Sequence, residues 1–252
     1  MSADSYLQAI LNREAVDTGP YSPVRGVQTT LQPIIREWAG TMLSDVSASG
    51  SFAKGTANRS GTDIDLFISL SQNTPDTLKQ IYDKLFSRMT EKGYSPKRQN
   101  VSINVKVNGY DVDLVPARRQ DGYGQDHSLF RRKADTWTKT NVAAHIRHVS
   151  QSGRTHEARI LKLWRNQKSL DFPSFYLELT VIDALSGSRA SLSDNVWKIF
   201  HYLRDSFSNA RVVDPANTNN VISDDLTAAE RVQVKFAAER ALAAANWSEI
   251  VL

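Results

Sequence analysis

The chain has 252 residues and not one cysteine. Disulfides, zinc ribbons and thiol catalysis are therefore excluded, and any metal must be held by oxygen or imidazole. Long apolar runs are missing as well: no stretch approaches the roughly 20 residues needed to cross a bilayer. Met1–Leu11 lacks the basic head and apolar run of a secretory leader. The expectation is a cytoplasmic protein with no membrane partner. Nor is there much imbalance of charge. The 31 Lys and Arg exceed the 27 Asp and Glu by only four, a surplus that suits polyanionic ligands but singles out none. Composition is otherwise that of a folded globular protein, with 40% apolar and 23% charged residues.

A loop signal, Asp17–Pro23, separates two helical patterns near the start. In the second, Leu31, Ile34, Ile35, Trp38 and Met42 recur at helical spacing. Val46–Ser49 and Ile64–Leu70 read as strands, and Pro75–Lys92 as a helix that stops at Gly93. Val101–Val107 and Tyr110–Pro116 flank Asn108-Gly109, a two-residue hairpin turn whose positive φ angles suit those residues. Residues 46–116 therefore predict a mixed sheet with helices on its flank. Past residue 135 four helical patterns follow: Thr138–Ser150, Glu157–Lys168, Pro173–Leu185 and Leu192–Phe207. A short strand at Arg211–Val213 leads into a loop, and a last helix runs over Thr227–Ala245, with Thr227 and Glu230 spaced for a capping box.

The chemistry concentrates in the first half. Asp63 and Asp65 stand at i and i+2 at the start of a strand, so both side chains take the same face. Two carboxylates about 4 Å apart repel by roughly 4 kcal/mol at an effective dielectric near 20, which a cation would relieve. Asp111 and Asp113 repeat the spacing on the later strand, among Tyr110, Val112, Leu114 and Val115. Asp113 is the preferred third ligand, with Asp111 left open because it shares the face. Hard oxygen ligands of this kind select Mg²⁺ or Mn²⁺. Gly50–Thr56 looks like a Walker A loop but lacks its Lys-Ser/Thr pair. Its glycines still let the backbone approach phosphate, and a helix starting near Ser51 would aim amides there. The histidines His145, His148, His156 and His201 form no metal-binding spacing.

Gly50-Ser51, then Asp63-Ile64-Asp65, then a strand Asp113 resemble the signature of the DNA polymerase β-type nucleotidyltransferase superfamily. Two branches are similar: the oligoadenylate synthetase and cyclic GMP-AMP synthase branch with its bacterial CD-NTase-like relatives, and the archaeal-type CCA-adding enzymes. Glu157–Trp164 resembles the helix that supplies a triphosphate-binding lysine, and Pro173–Leu179 a helix start that offers a hydroxyl and an aromatic ring. Val213–Val221 resembles the Asp-Pro … Asn-Val loop of both branches. The resemblance spans roughly residues 45–222.

It implies an α+β, two-lobed nucleotidyltransferase. A mixed-sheet, palm-like catalytic lobe would cover residues 1–135, N-terminal helix included, and a helical nucleotide- or substrate-binding lobe residues 136–252. Two Mg²⁺ (or Mn²⁺) ions would sit on Asp63, Asp65 and Asp113. Gly50, Ser51, Lys162 and Ser174 would contact the triphosphate of a nucleoside triphosphate, and Phe175 would stack on a base. The implied reaction joins nucleoside triphosphates into a short cyclic or linear oligonucleotide signal with release of pyrophosphate, in bacterial antiviral defence and read by a downstream effector protein. On the other branch the acceptor is an RNA 3′ end or a protein hydroxyl. Without cysteine the zinc element of animal cyclic GMP-AMP synthase is absent, and no tRNA-gripping tail domain is expected.

Overall fold

The computed structural model describes residues 2–19, 21–61 and 63–252. Met1 of the N-terminal stretch and Pro20 of the Asp17–Pro23 loop lie outside the described residues. In chain order the elements are α1 (Ala3–Arg13), α2 (Pro23–Ala39), β1 (Leu43–Ala48), α3 (Gly50–Lys54), β2 (Ile64–Leu70), α4 (Leu78–Glu91), β3 (Lys97–Arg98), β4 (Ile103–Val107), β5 (Tyr110–Arg119), β6 (His127–Arg131) and β7 (Thr136–Thr140). There follow α5 (Val142–Ser150), α6 (Thr155–Gln167), α7 (Ser174–Ala184), α8 (Leu192–Asp205), β8 (Val213–Asp214), β9 (Asn217–Val221), α9 (Ala228–Leu242) and α10 (Trp247–Ile250). This is the expected α+β arrangement of a mixed sheet and helices.

Two compact units emerge. Val16–Lys54 and Gly61–Ile146 form a sheet unit, while the chain up to Ala15, Gly55–Ser60 and Arg147–Leu252 form a helical unit. The expected division at 135/136, with the first helix on the catalytic side, is thereby redrawn. The reason lies in packing: Leu7, Ile10 and Leu11 of α1 are buried in the same apolar cluster as Trp164 and Phe200.

In the sheet unit the strand order is β1-β2-β5-β4-β3, with β6 added to β5 and β7 to β6. The β2–β5 pair is parallel and the other pairs antiparallel. Period-2 alternation sends Ile64, Leu66, Ile68 and Leu70 into a core shared with Val27, Leu31 and Ile35 of α2 and Ile81, Leu85 and Met89 of α4. The opposite face of β2 carries Asp65, Phe67 and Ser69. Helix α2 starts where Ser22 caps it and Pro23 takes the first turn. Helix α4 starts at Leu78, three residues later than the sequence suggests, because Thr77 and Gln80 close a reciprocal capping box. Asn108 and Gly109 adopt φ of 51° and 86°, the positive values a tight hairpin needs, and pair Val107 with Tyr110.

Thr136–Thr140 is strand, where the sequence reading began a helix at Thr138. Its β-branched and aromatic residues pair with β6 over the full length of that strand. The helical unit centres on Trp164, Tyr176, Phe200 and Phe207, all fully buried. Trp164 meets Phe200 edge-on at 5.1 Å between ring centroids. Thr227 and Glu230 cap α9 reciprocally, as their spacing predicts. Among the described residues no helix is long and apolar enough to cross a membrane.

Leu66 is wholly buried beside Asp65. Leu66→Ala is expected to lower unfolding free energy by about 2–5 kcal/mol in urea titrations; a loss below about 1 kcal/mol would contradict this account of the core.

Candidate active site

Gly50 opens α3 at φ 57°, directly after β1. Ser49 N donates to Asp65 O at 2.8 Å, which holds the turn against the start of β2. A Cβ built at Gly50 would overlap the carboxylate of Asp65, and its φ is one that side chains rarely adopt. Glycine is therefore required on two grounds, and the turn and Asp65 are in contact. Helix α3 spans only five residues. A phosphate grip there depends on single amides and the Ser51 hydroxyl, and the helix dipole envisaged from sequence contributes little.

The parallel register pairs Asp65 with Asp113, so their side chains leave the same face of neighbouring strands. Asp63 stands just ahead of β2, within reach of the charges of Asp113 and Asp111. Its pKa is raised first by desolvation and then by the charges of Asp113 and Asp111. Asp113 is half-buried and likewise raised by desolvation, with Asp111 adding and the bonds from Asn104 and Ser102 opposing. Its oxygens accept from Asn104 Nδ2 at 2.9 Å, Gln99 Nε2 at 3.1 Å and Ser102 Oγ at 3.3 Å. Asp111 is exposed, 4.0 Å from Lys106 Nζ.

Among the described residues no three acidic or imidazole groups close around one point as a metal cage would. Of the expected trio, Asp65 and Asp113 share a face, and Asp63, ahead of the strand, is near enough to feel the charge of Asp113. The donor chemistry fits a hard divalent cation: only oxygen ligands, several of them on one face, and carboxyls held above their ordinary range by burial and mutual repulsion.

The other expected contacts lie in the helical unit. Lys162, on α6, is buried; its Nζ donates to Glu178 Oε1 at 2.5 Å and Thr56 Oγ1 at 2.9 Å. Thr56 Oγ1 donates to the same Glu178 oxygen at 2.5 Å. Ser174 is the first residue of α7, and its Oγ accepts from Arg165 Nη1 at 3.0 Å. Phe175 is half-buried against the helical core.

A nucleotidyltransferase domain model matches residues 34–135, the stretch that holds Gly50, Asp63, Asp65, Asp111 and Asp113. The chain carries a nucleotidyltransferase domain. Its relatives belong to the branch that the motifs resemble. Cyclic AMP-AMP-AMP synthase of Escherichia coli (strain MS 115-1) is 25% identical over 183 residues, 67% of this chain and 56% of that protein. The match thus spans little more than half the length of that relative. The CBASS oligonucleotide cyclase CdnC of Escherichia coli (strain KTE188) is 23% identical over 262 residues, 88% of this chain and 82% of that protein. The fold is shared with E. coli MS115-1 CdnC solved with ATP, at TM-score 0.76 and 21% identity over 95% of this chain and 90% of that one. It is also shared with the Cid1 poly(U) polymerase bound to MgATP, at TM-score 0.68 and 13% identity over 95% and 93%. Nucleotidyltransferases of this kind generally use divalent metal ions.

Sequence reasoning missed the polar partners of Asp113. The signal was available for Asn104: once Asn108-Gly109 pairs Val107 with Tyr110, counting back along both strands puts Asn104 opposite Asp113, as observed. Gln99, Glu178 and Thr56 carried no comparable signal.

Two outcomes follow. Raised pKa values mean that the folded protein binds protons more tightly than the unfolded chain, so stability falls as pH rises above the ordinary aspartate range. In chelator at neutral pH, Asp63→Asn should therefore raise the melting temperature, and a lower one would refute the mutual repulsion. Lys162→Met leaves Glu178 charged and buried, and should cost about 3–5 kcal/mol in urea titrations. Lys162→Met with Glu178→Leu should recover most of it; if the double variant is no more stable than the single, the pair is not coupled.

Proposed function

We propose that the protein is a cytoplasmic, divalent-metal-dependent nucleotidyltransferase that joins nucleoside triphosphates into a short cyclic or linear oligonucleotide signal, in antiviral defence. The observation that carries this reading is the register of Asp65 with Asp113, beneath a glycine that can tolerate no side chain, inside a nucleotidyltransferase domain. Support for the product class comes from the relatives, an AMP-AMP-AMP cyclase and a CBASS oligonucleotide cyclase. A downstream effector protein would read the product.

In this reading Gly50 and Ser51 bind the triphosphate through backbone amides and the Ser51 hydroxyl. Asp63, Asp65 and Asp113 would hold two Mg²⁺ or Mn²⁺ ions, which when bound neutralise triphosphate charge and acidify the attacking hydroxyl. Asp113 has the larger role in proton transfer. Burial raises its affinity for a proton, which suits a carboxylate that accepts one from a ribose hydroxyl at Oδ2. Ser102, Asn104 and Gln99 fix its orientation, so the carboxylate is aimed before substrate arrives. Asp113 is preferred to Asp111 as the third metal ligand because Asp113 stands directly across the parallel pair from Asp65. Lys162, Ser174 and Phe175 are carried as nucleotide contacts on the family resemblance.

A second reading, transfer to an RNA 3′ end, draws on the fold shared with a poly(U) polymerase. Incubation with labelled nucleoside triphosphates and Mg²⁺, followed by mass spectrometry, separates the two. Label in small phosphatase-resistant oligonucleotides supports the first, and label on added RNA the second. Asp63→Asn and Asp113→Asn should bring pyrophosphate release below detection while leaving the circular dichroism spectrum unchanged. Retained turnover in either variant would remove that residue from the site.

A further inference from the structure

The sheet face that carries the aspartates continues past them. Its side-chain rows run Asp65 beside Asp113, then Phe67 beside Val115, then Ser69 beside Ala117. On the other flank Ser47 adjoins Phe67, and Asp45 adjoins Ser69. Over these later rows lies a cavity of about 160 Å³, similar to the roughly 150 Å³ that accommodates a benzene-sized ring. Phe67 and Ala143 supply apolar wall, and Asp45, Ser47, Arg119 and Gln125 supply polar groups.

Two other polar residues of the wall satisfy each other. His127 Nδ1 donates to Gln125 O at 2.8 Å, which leaves Nε2 to accept from Ser69 Oγ at 2.8 Å. Burial pushes the His127 pKa down against that Gln125 bond, and Arg119 pushes it further, so the ring is neutral. Arg119 is not satisfied. Among the described residues its guanidinium donates to no protein group, and its Nε is buried without a partner. Arg119 is only partly buried and the cavity opens to solvent, but a buried Nε–H without an acceptor is costly, and an arriving acceptor would relieve it.

We propose that this cavity seats the purine base of the acceptor nucleotide, with Arg119 and Gln125 donating to ring-edge acceptors and Asp45 accepting from the amino edge. The assignment rests on the nucleotidyl-transfer reading and names its specificity. Strand geometry places Phe67 about 7 Å and Ser69 about 13 Å from Asp65 along β2, so a ribose hydroxyl at Asp113 leaves its base over these rows. The polar set is matched to a purine: guanidinium donates to adjacent ring acceptors, and carboxylate accepts from an N–H. Apolar walls on Phe67 and Ala143 suit the faces of a heterocycle.

Calorimetry on the full chain with guanosine and adenosine, which carry no phosphate, tests the pocket without turnover; cytidine and uridine are the controls. Wild type should bind a purine nucleoside in preference to the pyrimidines. Arg119→Met should weaken that binding by ~10-fold or more, the worth of a hydrogen bond to a charged group. Asp45→Asn should change the ratio of guanosine to adenosine affinity. In turnover, Arg119→Met should raise the apparent KM for the acceptor triphosphate more than it lowers kcat, and change the base composition of the product. The proposal is overturned if wild type shows no purine preference, or if both variants bind and react like wild type at unchanged melting temperature. If wild type releases no pyrophosphate yet binds purine nucleosides through Arg119, the transfer reading fails and the pocket stands.

Discussion

One pairing governs the sheet unit: β2 beside β5, parallel, with Asp65 level with Asp113. Like charges on neighbouring strands work against that pairing, and the apolar residues alternating with them hold it. Ile64, Leu66 and Ile68 on one strand, Val112 and Leu114 on the other, are fully buried on the opposite face. Fully burying an aliphatic side chain is worth about 1.5–3 kcal/mol, so five of them outweigh the repulsion of partly solvated carboxylates. The same alternation that builds the core thus forces the aspartates together. A slip of one residue would turn every aspartate into the core and every leucine out, so register and site are fixed by a single constraint.

How much of this the sequence discloses depends on how local the cause is. The Asn108-Gly109 turn and the Thr227–Glu230 cap act within a few residues, and the structure reproduces both. Thr136–Thr140 is strand because it folds back on β6 through the short connection Arg132–Asp135, which carries no Asn-Gly turn signal of the kind seen at 108–109. The pairing of β8 with β9 is likewise a short local return of the chain. It turns on Asp214, whose Oδ1 accepts from Ala216 N at 2.8 Å, a contact that reads in sequence only as a loop. Helix α1, expected within residues 1–135 on the catalytic side, packs instead with Trp164 and Phe200, which lie far along the chain.

For the site itself, residue types and spacing disclosed the aspartates and the glycine. They could not disclose orientation. Asp113 is aimed by an amide from β4, an amide from the end of β3 and a hydroxyl between them, and only strand register brings these together. Lys162 makes the same point from the other side. Its neighbours Arg159, Arg165 and Lys168 suggest a solvated basic face, yet Lys162 is buried against Glu178 and Thr56, residues 16 and 106 positions away.

The short run Gly55–Ser60 has a consequence for how such a chain can be inherited. It lies between the turn and the aspartates in sequence but packs within the helical unit, where Asn58 Nδ2 donates to Arg159 O and Ser60 N to Glu14 Oε2. The backbone therefore passes from one unit to the other after Ala15, Lys54, Ser60 and Ile146. Neither unit is a contiguous stretch of the gene. A recombination event at any single one of those junctions would separate residues that must pack together. The separated stretches of each unit are thus bound to change in step with one another, by substitution, and not by exchange of modules.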